Sequence, residues 1–361
     1  MRLRFAFCET LLGGLLLVTA NAYAGEGQDS LDRHGLDWLR VVVFAAHQTD
    51  YSGVFVYQYD NRVETSRITH VVEPDSEYER VESLDGPRRE IIRHNGQVWC
   101  YTNQKMEQVD SRQGYSRFPS LLPEQLSALS ANYRVKEAGV ERVAEYNAQV
   151  ILLQPRDNLR YTHKIWVHTD SGLLLKAAVL GDKNQLVEQY AFTQLQIGGD
   201  IDRSWIKAIT ASANSGSGIP KPGNSPLPKG DVKLTQPDGG SPGFGTSLGQ
   251  GAAADLHGAP VNSGWLVDAL PAGFKKTMEI QRRMRGKPAP VTQLVFSDGL
   301  SAISVFIEPS DGKEDDVAGL SSRGAMNLYH KVVDKNLFTV VGEVPPRTVM
   351  QVLDSVRHSG R

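Results

Sequence analysis

The twelve residues IIRHNGQVWCYT (91–102) decide how the first half of this chain is read. Two short apolar and aromatic runs flank Asn95-Gly96, the strongest short signal for a two-residue hairpin turn. REIIRHN (89–95) should therefore fold back on QVWCYT (97–102) as an antiparallel pair. Alternation along a strand puts Trp99 and Tyr101 on one face and Cys100 on the other.

Outward from this hairpin the same pattern repeats. YSGVFVYQY (51–59), SRITHVVE (66–73) and EYERVESL (77–84) precede it. AQVILLQP (148–155), RYTHKIWVHT (160–169), LLLKAAVLG (173–181) and LVEQYAFTQLQI (186–197) form a second meander, with Asp170-Ser171-Gly172 as one of its turns. Leu36, Leu39, Val42, Val43 and Ala46 recur at helical spacing ahead of the strands. SLLPEQLSAL (120–129) reads as a short helix or lid-like loop between the meanders. Strands do not alternate with long helices, which argues against a parallel α/β fold. A sheet of about ten antiparallel strands curls on itself, and the helices would cover or plug its concave face. Val54, Phe55, Val56 and Tyr57 are apolar or aromatic on both faces of one strand, so one face must meet a helix or a guest. Phe55, Tyr57, Trp99, Tyr101 and Trp166 are the candidates for lining a lipid cavity, with Trp99, Tyr101 and Trp166 expected on one inner wall. Plain core packing is the other reading of these aromatics.

The chain begins MRLRFAFCETLLGGLLLVTANAYA. Two arginines, a short apolar run and Ala22-Tyr23-Ala24 make a secretory leader cleaved after Ala24; the run is too short to span a bilayer. Of the two cysteines, Cys8 leaves with it. Cys100 then has no partner for an internal disulfide and cannot build a thiolate zinc site alone. It reads as a small buried hydrophobe; a reactive thiol would need a cation or His94 nearby. The net charge of −2 becomes −3 without the leader, too near neutral for general nucleic-acid binding. The 337 residues that remain suggest two domains.

Residues 211–258 hold 11 Gly, 6 Pro and 6 Ser. Such a segment cannot offset its ordering entropy by burial, and a free coil of this length spans roughly 40 Å. The expected organisation is a leader (1–24), a first domain (25–207), a flexible tether (208–260) and a second domain (261–361). In the last, LVDALPAGFKKTMEIQRR, TQLVFSD, AISVFIEP, AMNLYHKVV and LFTVVGEV read as strands and PPRTVMQVLDSVR as a helix with one apolar face. The fold class is α+β, mainly antiparallel: a large curled sheet with covering helices and a smaller sheet packed on a helix.

Gly239-Gly240-Ser241-Pro242-Gly243 matches a nucleophile pattern but sits in the tether, without the strand and helix that the motif needs. His163 and His168 are five apart on one strand and point to opposite faces, so they make no metal pair. No nucleophile is paired with a base, and neither an enzyme nor a cofactor is expected. Lys275, Lys276, Arg282, Arg283, Arg285 and Lys287 crowd 13 residues against Glu279 alone. They read either as a charged, protective strand edge or as a site for partner carboxylates or lipid phosphates, which arginine binds bidentately.

YSGVFVYQ, SRITHVV, ERVESLDGPRREIIR and VWCY resemble the N-terminal domain of the RseB/MucB family, and GWLVDALPAGFKK, QLVFSDGLSAISVFIEP and LYHKVVDKNLFTVVGEVPPRTV its C-terminal domain. The resemblance implies a periplasmic regulator of the sigma-E (AlgU-type) envelope-stress response. It would bind the periplasmic region of an RseA/MucA-type anti-sigma factor, shield it from the first regulatory protease, and be displaced by lipopolysaccharide or another acylated ligand. It also implies a half-open barrel of the LolA/LolB type for the first domain. A lipid or lipoprotein carrier of LolA type is the alternative, although a pure carrier has no need of the second domain. The oligomeric state, a homo-oligomer included, stays open.

Overall fold

The computed structural model describes residues 24–95, 97–102, 105–109, 118–123, 125–206, 259–283, 289–310 and 318–360. The expected leader up to residue 23 and the tether from 208 to 258 lie outside these residues.

Eleven strands make the large sheet: β1 (Tyr51–Tyr59), β2 (Arg62–Glu73), β3 (Ser76–Ser83), β4 (Arg89–His94), β5 (Gln97–Thr102), β6 (Lys105–Val109), β7 (Tyr133–Val143), β8 (Tyr146–Pro155), β9 (Thr162–His168), β10 (Leu174–Leu180) and β11 (Leu186–Ile197). Their order is β6-β5-β4-β3-β2-β1-β11-β10-β9-β8-β7. Two sequential meanders thus meet where β1 pairs with β11, and every pairing is antiparallel. The Asn95 hairpin forms as expected, with His94 opposite Gln97 and Asn95 at φ +45°. A residue left over at Thr193 makes a bulge opposite Val54/Phe55, where the sheet bends.

Helix α1 (Ala24–Gln48) lays Leu39, Val42 and Ala46 on the inner face of the sheet, against β7. Gly35 lets it approach closely: a Cβ there would come within 2.7 Å of Val135. Helix α2 (Ser127–Asn132) adds Leu129, and Phe118 fills the space between. The expected helix at 120–129 is in fact shorter and later.

The small sheet runs β12-β14-β15-β16-β19-β18-β17, from β12 (Ala259–Pro260), β14 (Lys275–Arg282), β15 (Val291–Ser297), β16 (Ala302–Pro309), β17 (Gly319–Arg323), β18 (Met326–Val333) and β19 (Asn336–Gly342). The last two residues of the expected tether are therefore strand. A separate ribbon pairs β13 (Trp265–Val267) with β20 (Val356–His358). Helix α3 (Pro346–Asp354) starts on Pro346, where the missing N–H costs nothing. It buries Val349, Val352 and Leu353 against Leu294, Ile303, Val305 and Val340.

Candidate functional site

Register fixes which face each candidate occupies. Gly53, Ile68, Val81, Ile91 and Cys100 stand opposite one another across β1 to β5, so their side chains share a face. Ile68 and Val81 belong to the inner core with Phe55, Phe118 and Phe192. Cys100 therefore lies on the inner wall, half-buried and 3.6 Å from the Thr102 hydroxyl. Trp99 and Tyr101 share one face as expected, but it is the outer one. There they pack with Ile92 and Trp205, from the segment just beyond β11. Burial beside the Glu90 charge pushes the Tyr101 phenol up to about 12. Trp166 is also on the outer face, packed on Val150, Leu175 and Ala178, with its indole N–H donating to Glu141 at 2.8 Å and the ammonium groups of Lys164 and Lys176 each 4.5 Å from its ring. The expectation of one inner wall holding Trp99, Tyr101 and Trp166 is corrected: alternation fixes relative faces, and the covering helix chose the opposite one.

Phe55 and Tyr57 are on the inner side. Phe55 packs against Phe118, ring centroids 5.3 Å apart, and Tyr57 stacks on Tyr190 and Tyr59 at 4.3 and 4.8 Å. Tyr190 in turn stacks on Phe118. The pile runs from the core to the place where the small sheet docks.

That docking seam is polar, and buried around Arg160, Asp298 and Asn327. Arg160, with its side chain fully buried, donates Nε–H to Asp298 at 2.6 Å and further N–H groups to Asp157 and the Ala272 carbonyl. The Tyr133 hydroxyl also donates to Asp298, 3.3 Å away, and burial holds the nearby His163 down at about 4, neutral at pH 7. Asn327 donates to the Tyr161 oxygen and to the Val344 carbonyl, and the Thr348 hydroxyl donates to the Leu159 carbonyl. Elsewhere in the seam Glu188 accepts from the Tyr57 hydroxyl and from the Ala325 amide, both at 2.9 Å. Arg323 reaches Tyr59 at 2.6 Å and Glu64 at 3.1 Å.

The basic run does not form one cradle among the described residues. Lys275 and Arg282 begin and end β14, about 23 Å apart along a strand. Lys276 pairs with Glu279, and the Arg282 guanidinium lies 6.0 Å from the Phe306 ring. Arg283 is exposed just beyond the strand, and Arg285 and Lys287 lie outside the described residues. β12 pairs with β14 only at Ile280 and Gln281, which leaves the lysine end as a sheet edge. No group of three metal-ligating side chains occurs among the described residues, and none of their helices is long and apolar enough to cross a membrane.

The model of the MucB/RseB N-terminal domain matches residues 34–210, and that of the MucB/RseB C-terminal domain matches 259–357. The chain is 31% identical over 353 residues to the sigma factor AlgU regulatory protein MucB of Pseudomonas aeruginosa, covering 96% of this chain and 95% of that one. It is 24% identical over 354 residues to the sigma-E factor regulatory protein RseB of Escherichia coli K12, covering 97% of both. Among solved structures, MucB in complex with MucA(peri) superposes with a TM-score of 0.64 at 28% identity, over 90% of this chain and 98% of that one. The Pseudomonas aeruginosa MucA/MucB complex gives 0.65 at 29%, over 90% and 99%.

Proposed function

The chain belongs to the MucB/RseB family of sigma-factor regulatory proteins, and from that premise we propose that it binds the periplasmic region of a membrane anti-sigma factor and shields it from regulated proteolysis. It is a regulatory protein, not an enzyme. The observation that carries the reading is the likeness to MucB as solved with MucA(peri), which extends over both sheets.

An acylated ligand, such as mislocalised lipopolysaccharide, releases the partner in this reading. The inner wall supports it more than the outer aromatics do. Val81, Ile91 and Cys100 form an inward strip that α1, α2 and Phe118 leave half-buried. Each methylene buried there contributes about 0.8 kcal/mol, so ten would match a micromolar protein contact of about 8 kcal/mol. Competition then depends on the difference in lipid affinity between free and partner-bound forms.

The test is fluorescence anisotropy of residues 25–361 with a labelled periplasmic segment of the anti-sigma factor from the same genome, followed by titration of a lipid A fragment. Binding that lipid reverses, and that Ile91→Asp makes lipid-insensitive, is the expected result. Binding that lipid leaves untouched would keep the shielding role and remove the lipid signal. Absence of binding, with acyl ligand retained through purification, would favour the carrier.

A further inference from the structure

We propose that the seam between the two sheets is a pH-dependent latch, in which the carboxyl groups of Glu188 and Glu343 hold the sheets together when protonated and loosen them when ionised. The inference concerns contacts within the chain and stands whether or not the partner assignment does.

The geometry gathers several carboxylates at one contact where Glu188 and Glu343 are half-buried. Glu188, on β11, takes one donor from its own sheet, the Tyr57 hydroxyl, and one from the other, the Ala325 amide. Stacked Tyr57 and Tyr190 wall it on one side. On the other, Gly324 passes so close, at φ +55°, that a Cβ would collide with the Glu188 carboxylate. Glu343 follows Gly342, which pairs with Asn327 two residues beyond Ala325, so a second carboxyl comes to this group and its charge is felt at Glu188 and Tyr190.

The facing groups do not neutralise the pair. From β1 come the phenols of Tyr57 and Tyr59, from the following turn Asp60, and from β2 Glu64; β11 adds Tyr190 and the loop before β9 adds Tyr161. Two guanidinium groups approach from the small-sheet side. Arg323 is committed to Tyr59 and Glu64, and Arg347 to Asp182.

Burial, and then the Glu188 charge, pushes the Glu343 carboxyl from the usual 4.5 to about 7. Burial also pushes Glu188 up, with Asp60 adding to it, against the opposing pull of the Ala325 and Tyr57 hydrogen bonds. A carboxyl raised in the docked form binds its proton more tightly there than in the open form. Its contribution to docking is complete below about pH 4.5 and is lost as pH rises through about 7. Acid therefore closes the latch and alkali opens it.

Residue-resolved amide exchange on the full chain tests this, with rates corrected for intrinsic pH dependence. The Ala325 amide reports the latch, and the Ser301 amide, held by Asp298 at 2.8 Å within the turn between β15 and β16, reports the small sheet's own stability. Between pH 5.5 and 8 the protection of Ala325 should fall about thirtyfold, the part of the shift from 4.5 to about 7 that titrates in this window, while Ser301 stays constant. In Glu343→Gln the fall should shrink to what Glu188 alone contributes. Glu188→Gln, which leaves the burial of Glu343 in place, should shrink it by a smaller factor and serves if the first variant folds poorly. Constant Ala325 protection across this range overturns the proposal, as does an undiminished fall in the glutamine variants. A parallel fall at Ser301 overturns it too, because the small sheet itself would then be loosening.

Discussion

Arg160 and Asp298 meet across the seam with neither side chain exposed, whereas Glu188 and Glu343 share their part of it with two guanidinium groups already engaged elsewhere, Arg323 by Tyr59 and Glu64 and Arg347 by Asp182. The first cluster pairs every charge it buries; the second leaves an excess of one sign. Removing two charges from water costs several kcal/mol per ion, recovered only with close geometry and further hydrogen bonds. Asp298 has them: one oxygen takes Arg160 and Tyr133, the other the amides of Leu300 and Ser301. Glu343 lessens the cost differently, by keeping its proton up to about pH 7. A paired cluster fixes an arrangement, while an unpaired one makes it conditional on pH.

The largest effect should come from breaking the paired cluster. Arg160→Leu leaves Asp298 buried without a cation, and denaturant unfolding should show a loss of about 3–5 kcal/mol. A double variant, Arg160→Leu with Asp298→Leu, should recover much of it. If the single variant were as stable as the parent, the distinction between the clusters would collapse.

Asn327 lies on β18 near both clusters and carries no charge. Its amide donates to Tyr161, Ala325 and Val344. Asn327→Ala strands these acceptors in a buried place, and a loss of about 1–3 kcal/mol is expected, equal at pH 5.5 and pH 8. A loss that changed with pH would extend the latch to include it.

How much of this could be read beforehand differs from element to element. The Asn95 hairpin and both meanders were legible because turn chemistry and alternation are local. β7, YRVKEAGVERV, escaped notice because its second half is mostly exposed and mixes Ala138, Gly139 and two valines with Glu141 and Arg142, so it carries no apolar rhythm. Alternation also grouped Trp99 with Tyr101 and separated them from Cys100, but nothing local told the inner face from the outer. That was decided by α1, and by Trp205, which caps the outer side. The seam was illegible throughout: Arg160 and Asp298 are 138 residues apart, and Glu188 and Ala325 137. Single charged residues within unremarkable turns give no sign that they meet.

The smallest effect should come from Arg323→Lys, and it sharpens the comparison because it keeps the charge while changing its shape. Arg323 lies over the Tyr59 ring at 4.5 Å while one of its nitrogens reaches both Tyr59 and Glu64. A lysine has no planar group to stack in this way and cannot match the reach. Arg323 is a quarter exposed and Glu64 about half, so solvent screens the pair and a loss within about 1 kcal/mol is expected. Raising the salt should shrink that loss further. Because the positive charge remains, the pH at which Ala325 loses protection should stay near its parent value. Arg323→Gln removes the charge as well, and should shift that loss to higher pH, since Glu188 would keep its proton longer. If lysine and glutamine behaved alike, Arg323 would act through packing alone, and the carboxylates would set the latch without it.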